Sequence, residues 1–272
     1  FFSMKELQRL AIDPAQWHGG EIQFTADQDR YLRRVLRLEP GDRLVALLPE
    51  PIGDSRWWLV GLEPTGATAL KPLPEPIEPI QTLTLLAALP KGSGFDEVVR
   101  QATELGVTEI VPVLSDRTLM QPNGNRLERW RRIAREAAEQ SERATIPTVT
   151  EPLAWPAAIA QMVEHDGRFL CVARRSAPHL WQALQLLADP VPNPTSAPAS
   201  AQSQSPRAIA LAVGPEGGWT PAEVDQALAA GWQVVSLGGR VLRAVTAPLA
   251  ALAIVNAWGE TITHGLAPSA VD

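Results

Sequence analysis

The chain of 272 residues is 45% hydrophobic and 20% charged, with a formal net charge of -6. That length suits two ordinary domains with real cores, and the acid excess excludes a uniformly basic nucleic-acid binder, so local clusters must meet any such partner. The single cysteine, Cys171, excludes an internal disulfide and a thiolate-rich metal site and fits a reducing cytosol. The longest apolar stretch, residues 244–258, contains Thr246, Pro248 and Asn256 and falls short of a bilayer span, so no membrane partner is expected. The opening FFSMKELQRL lacks a signal-peptide pattern, which leads to an expected cytoplasmic location. The four histidines are scattered without ligand spacing, and no metal is expected.

From Glu21 to about Leu73 short apolar runs (EIQFT, RLVALL, WWLVGL, TALKPL) are cut by Gly and Pro, the pattern of a small β-barrel or sandwich. Between the first two runs, Arg30 to Leu38 reads as a helical turn or two with Leu32, Val35 and Leu36 on one face. Five arginines lie between Arg30 and Arg43, against Glu39 and Asp42. Two readings stay open for them: a solvated face, or a patch whose guanidinium forks meet phosphate oxygens.

Pro72, Pro74, Pro76 and Pro79 form a stiff linker and set a domain boundary, with a first domain at 1–75 and a second at 80–265. Beyond it the period changes. Thr82 to Leu89 reads as a buried strand, and Asp96 to Leu105 as a helix with Val98, Val99, Ala102 and Leu105 on its core face. Val107 to Leu114 is a strand, and Arg126 to Arg143 a helix with Leu127, Trp130, Ile133, Ala134 and Ala137 at helical spacing. Arg168 to Ala173 is a strand and His179 to Leu187 a helix. Strands alternating with helices imply a mainly parallel sheet covered on both faces. The segment 188–207 holds five prolines among Ser, Ala, Gln and Asn, and is expected to be a mobile insertion.

Ala208 to Trp258 repeats a strand–glycine loop–helix pattern, with loops at Gly214-Pro215-Glu216-Gly217-Gly218 and at Gly238-Gly239. Thr220-Pro221-Ala222-Glu223 is a capping box with Pro at the first helical position. Loops at the carboxyl ends of parallel strands are where open α/β sheets bind ligands. Neither a P-loop lysine nor a G-x-G-x-x-G spacing is present, so the loop suits an adenosine-like ligand held by backbone groups, and a bulky side chain at Gly217 is expected to intrude on that ligand.

Four segments, LPKGSGFDEVVRQATELGVTEIVPVLSDRT, RWRRIAREAAEQSER, AVGPEGGWTPAEVD and SLGGRVLRAVTAPLAAL, together with VLRLEPGD, resemble the RsmE family of 16S ribosomal RNA (uracil-N3) methyltransferases in the SPOUT superfamily. The resemblance implies an N-terminal PUA-like β-barrel that binds RNA, and a C-terminal α/β domain with a deep trefoil knot that forms a homodimer. It implies S-adenosyl-L-methionine (SAM) as cofactor and small-subunit rRNA as partner. The cofactor would lie between a first wall of Gly214, Pro215, Glu216, Gly217 and Gly218 and a second of Leu237, Gly238, Val241, Leu242 and Arg243, with Leu170 to Ala173 as a further candidate.

Uracil N3 carries a proton, so transfer calls for a base or for cations that stabilise the O2/O4 anion. Arg243 is the candidate cation, with a salt bridge that fixes its own loop as the alternative, and Glu216 is the candidate base. RNA contacts are expected from Arg9, Arg33, Arg34, Arg37, Arg143 and Lys91. Two positions depart from the family: Val245 stands where a Glu is usual, and Tyr31 where relatives often carry His. Val245 and the acidic balance motivate a second reading, a non-catalytic RNA- or ribosome-binding protein that retains the fold.

Overall fold

The computed structural model describes residues 7–75, 78, 81–118, 124–188 and 207–263. Pro76 and Pro79 of the expected linker lie outside these, as does the expected insertion apart from its end residues Ala188 and Arg207. The chain divides into two compact units, residues 1–78 with 135–146, and residues 79–134 with 147–272.

The first unit is a curled six-stranded sheet. Its strands are β1 (Arg9–Ala11), β2 (Trp17–His18), β3 (Glu21–Ile22), β4 (Arg43–Ile52), β5 (Ser55–Leu62) and β6 (Ala67–Pro72), in the order β1-β4-β5-β6-β3-β2. β1 joins β4 in parallel and the other pairs are antiparallel. Leu44, Ala46, Leu48, Val60 and Leu62 bury one face with Leu10, Ile22 and Leu32. Val45, Leu47, Trp57 and Leu59 bury the other face against Ala138, on the segment 135–146. This period-two split is what a sheet covered on both sides requires.

The expected helical turns start earlier than their arginines suggest. Thr25 caps α1 (Ala26–Arg30), which continues as a π-turn over Tyr31–Val35. Leu32 is buried and Leu36 packs on the core, but Val35 is 64% exposed, because the wider π-turn rotates it off the apolar face. EIQFT forms a strand only at Glu21–Ile22.

The second unit is built on a wholly parallel sheet. It contains β7 (Thr82–Ala88), α2 (Gly94–Glu104), β8 (Glu109–Leu114), α3 (Gly124–Gln140, whose last residues group with the first unit), β9 (Thr148–Val149), β10 (Leu153–Ala154) and α4 (Trp155–Gln161). There follow β11 (Gly167–Val172), α5 (Leu180–Ala188), β12 (Ala208–Val213), α6 (Pro221–Ala229), β13 (Gln233–Ser236) and α7 (Thr246–Thr263). The strand order is β10-β8-β7-β12-β11-β13, with β9 also on β8.

Alternate residues of the central strands feed two cores. Leu83, Leu85, Ile209 and Leu211 face one layer with Val99, Trp130, Leu184 and Leu252, drawn from α2, α3, α5 and α7. Leu86, Ala88, Ala210 and Ala212 face the other, under Trp155, Trp219 and Trp232. Small alanines on the sheet leave room for three indoles, and Trp155 lies 4.3 Å from Trp219, centroid to centroid. Among the described residues no helix is long and apolar enough to cross a membrane.

Candidate functional site

Five loops at the carboxyl edge of the parallel sheet, following β7, β8, β11, β12 and β13, surround a cavity of about 750 Å³. That is within the usual range for a small-molecule site. All ten residues expected to line a cofactor pocket are in its wall: Gly214, Pro215, Glu216, Gly217, Gly218, Leu237, Gly238, Val241, Leu242 and Arg243. Cys171 to Ala173 join them, whereas Leu170 is turned into the tryptophan core.

The loop after β12 is clamped from several sides. Gly218 N–H donates to Pro215 O at 2.8 Å, closing a turn in which Gly218 has φ +67°. The capping box is complete: Glu223 N–H donates to Thr220 Oγ1 at 3.3 Å, and Thr220 N–H donates to Glu223 Oε2 at 2.7 Å. The other oxygen of Glu223 accepts from Asp116 N–H at 2.8 Å, so this 2%-exposed carboxylate also fixes the loop after β8. Trp219 Nε1 donates to Cys171 O at 3.2 Å and ties the loop to β11. Glu216 Oε1 accepts from Lys91 N–H at 3.0 Å and ties it to the loop after β7.

A side chain at Gly217 would crowd a neighbour in the cavity wall. Its Cβ would meet Arg117 Cδ at 3.0 Å, and Arg117 Nη1 donates to Gly217 O. Open space lies instead beside Gly218 and Gly238, where a Cβ would find nothing within 4 Å. Gly238 has φ +112°, a conformation that L side chains rarely adopt, and its N–H is held by Ser236 Oγ at 3.1 Å.

On the second wall Arg243 is exposed, and among the described residues it makes no ion pair; its carbonyl accepts from Thr246 and Ala247 N–H at the start of α7. Val245 packs against the apolar core, and a Cβ on Gly94 would lie 2.9 Å from its Cγ1. Burial pushes the Cys171 thiol up to about 12, which keeps it protonated beside the cavity.

Sequence reasoning missed Arg117, Arg174, Arg175 and Arg240, which with Lys91 and Arg243 make six cationic side chains in the lining, against the single carboxylate of Glu216. No spacing rule joins them, because they come from four separate loops. A cation within a few residues of the ends of β7, β8, β11 and β13 was the available signal.

The first unit corrects part of the expected RNA-contact set. Arg143 is 6% exposed, and its guanidinium pairs with Glu78 at 3.0 Å. Arg9 pairs with Glu142 at 2.8 Å and lies over the Trp57 ring. Arg33 is engaged by Asp29 at 2.7 Å and by the carbonyls of Glu63 and Pro64. Fixed charges of this kind hold the unit together. Arg34 and Arg37 are exposed and make no ion pair among the described residues, and Arg37 has a left-handed φ of +57°.

An RNA methyltransferase domain model matches residues 77–256. Ribosomal RNA small subunit methyltransferase E of Synechocystis is 42% identical over 257 residues, covering 93% of this chain and 78% of that protein. The protein of that name from Mycobacterium bovis is 31% identical, over 90% of this chain and 89% of its own. The crystal structure of the Neisseria gonorrhoeae ribosomal RNA small subunit methyltransferase E bound to S-adenosyl methionine is 27% identical, with a TM-score of 0.73 over 93% of this chain and 98% of that one. With its fold and its strand-end cavity alongside these likenesses, the chain belongs to the RNA methyltransferase family, among the ribosomal RNA small subunit methyltransferase E proteins.

Proposed function

We propose that the protein transfers a methyl group from SAM to N3 of a uridine in 16S rRNA, giving 3-methyluridine. The observation that carries this reading is the cavity between two glycine loops at the carboxyl edge of a parallel sheet. The fit to SAM is physical. Gly218 and Gly238 bring bare backbone to open space, where a Cβ-bearing chain would be strained, and Val241, Leu242 and Val172 supply apolar contact. SAM supplies a methyl group on a sulfonium, and the protein contributes position and electrostatics.

The target base must be unpaired to present its N3 edge. Arg243, whose guanidinium is not held by any carboxylate among the described residues, stabilises the O2/O4 anion that forms as the N3 proton leaves. Glu216 accepts that proton: Lys91 N–H holds one oxygen and leaves the other for the base. Val245, at the cavity wall and packed against the core, has no group to exchange a proton.

The first unit is read as a PUA-like RNA-binding domain that offers Arg34 and Arg37 to phosphates, and the second as a SPOUT domain. Its knot would form where the chain leaves the edge strand β13 and returns as α7 beside α2, α5 and β12. Such threading is the exception to ordinary connectivity. The protein acts as a homodimer through this unit, in the cytoplasm. Calorimetric titration with SAM tests the reading: saturable binding at one site per chain is expected, and no binding would leave the non-catalytic RNA-binding alternative.

A further inference from the structure

We propose that Arg174 and Arg175, directly after β11, bind the backbone phosphates beside the target nucleotide and hold single-stranded RNA over the cavity mouth. The proposal rests on the RNA methyltransferase reading and assigns these residues to the substrate rather than the cofactor. Both line the cavity and both are exposed. Among the described residues neither makes an ion pair, whereas Arg117 is engaged with Gly217 O.

The charge balance points to the ligand. Six cations and one carboxylate ring this cavity in a chain whose net charge is -6. SAM is itself a net cation, so an arginine-rich mouth opposes its binding. A polyanion is what such a mouth attracts, and guanidinium forks match phosphate oxygens.

The backbone adds a second observation. Arg174 has φ +60°, where a non-glycine side chain costs free energy that glycine would avoid. The Arg174 side chain is exposed and makes no ion pair among the described residues, so no ion pair offsets that cost. The turn carrying it is anchored at both ends, by β11 in the sheet and by Ser236 N–H donating to Pro178 O at 2.8 Å. The two guanidinium groups therefore start from a fixed base, which lowers the ordering cost of gripping a flexible strand.

The test uses the full-length protein with Arg174→Gly, Arg175→Ala and the double change. Readouts are the salt dependence of binding to a short oligouridylate, SAM affinity by calorimetry, and thermal stability. The salt slope of the double variant should fall by about 1.4, the value for two phosphate contacts on a single strand. SAM affinity should hold or tighten, and Arg174→Gly should melt at or above the parent temperature. Restoring charge as Arg175→Lys should recover its share of the slope. An unchanged slope overturns the proposal, and so does a parallel loss of SAM affinity, which would place the arginines on the cofactor carboxylate. An Arg174→Gly variant that melts early would make the residue structural and also overturn it. If the parent protein fails to bind SAM, the methyltransferase reading falls, and the salt slope still reports on the arginines.

Discussion

At the scale of single residues, the proposed chemistry turns on three residues of the cavity wall: Arg243, Val245 and Glu216. Val245, apolar and packed against the core at the cavity wall, carries no group that could take a proton. Glu216 is the single carboxylate among the described lining residues. Glu216→Gln keeps an oxygen for Lys91 N–H, so SAM affinity should stay within a few-fold while methyl transfer slows roughly 10²–10⁴-fold. Single-turnover kinetics at saturating SAM checks this; an unchanged rate would remove Glu216 from the chemistry. The glycine loops were legible in the sequence because turn chemistry is local, whereas Arg243 came from the family resemblance. The fates of Arg9, Arg33 and Arg143 were not, because Glu142, Asp29 and Glu78 claim them through folding, and exposure cannot be read from residue type.

At the scale of elements, the loop after β12 is shaped by the helix that follows it. Glu223 closes the capping box on Thr220 and accepts from Asp116 N–H, so one buried carboxylate sets the start of α6 and the end of the β8 loop together. Glu223→Ala leaves the N–H groups of Thr220 and Asp116 without this acceptor and should cost about 2–3 kcal/mol, from a lost cap and a lost hydrogen bond to a charged group. Chemical denaturation checks the cost, and SAM affinity should drop with it because the cavity wall loses its anchor. Full stability in this variant would contradict the clamp. The capping box was visible from Thr-Pro-Ala-Glu spacing alone. The bond to Asp116 was not, since it joins residues 107 apart. The expected strands 82–89 and 208–213 match β7 and β12 closely, since buried parallel strands read as unbroken apolar runs. The short β9 and β10 and the helix α4 carry no such run and went unread.

At the scale of the whole molecule, the composition pattern separates a strand-rich first part from an alternating second part, and both sheets are present. What sequence order hides is that residues 135–146 return to the first unit, where Ala138 and Glu139 complete its packing. Burial, the largest cause, holds the Glu139 carboxyl above its usual range, against the lowering effect of Ala11 N–H. A raised folded-state value means the folded chain keeps a proton that the unfolded chain releases, so stability falls as pH rises from the ordinary value of 4.5. Glu139→Gln, neutral throughout, should match the parent near pH 4.5 and gain melting temperature over it toward neutral pH. A difference that does not vary with pH would show that Glu139 is not held above its usual range.

Methyl transfer is predicted at one base edge. Small ribosomal subunits incubated with the protein and methyl-labelled SAM, followed by nuclease digestion and nucleoside identification, test it most directly. The predicted result is label in 3-methyluridine at a single position of 16S rRNA, lost in Arg243→Ala. Label on a cytidine, on a ribose or on tRNA would contradict the account, and so would SAM binding with no label transferred.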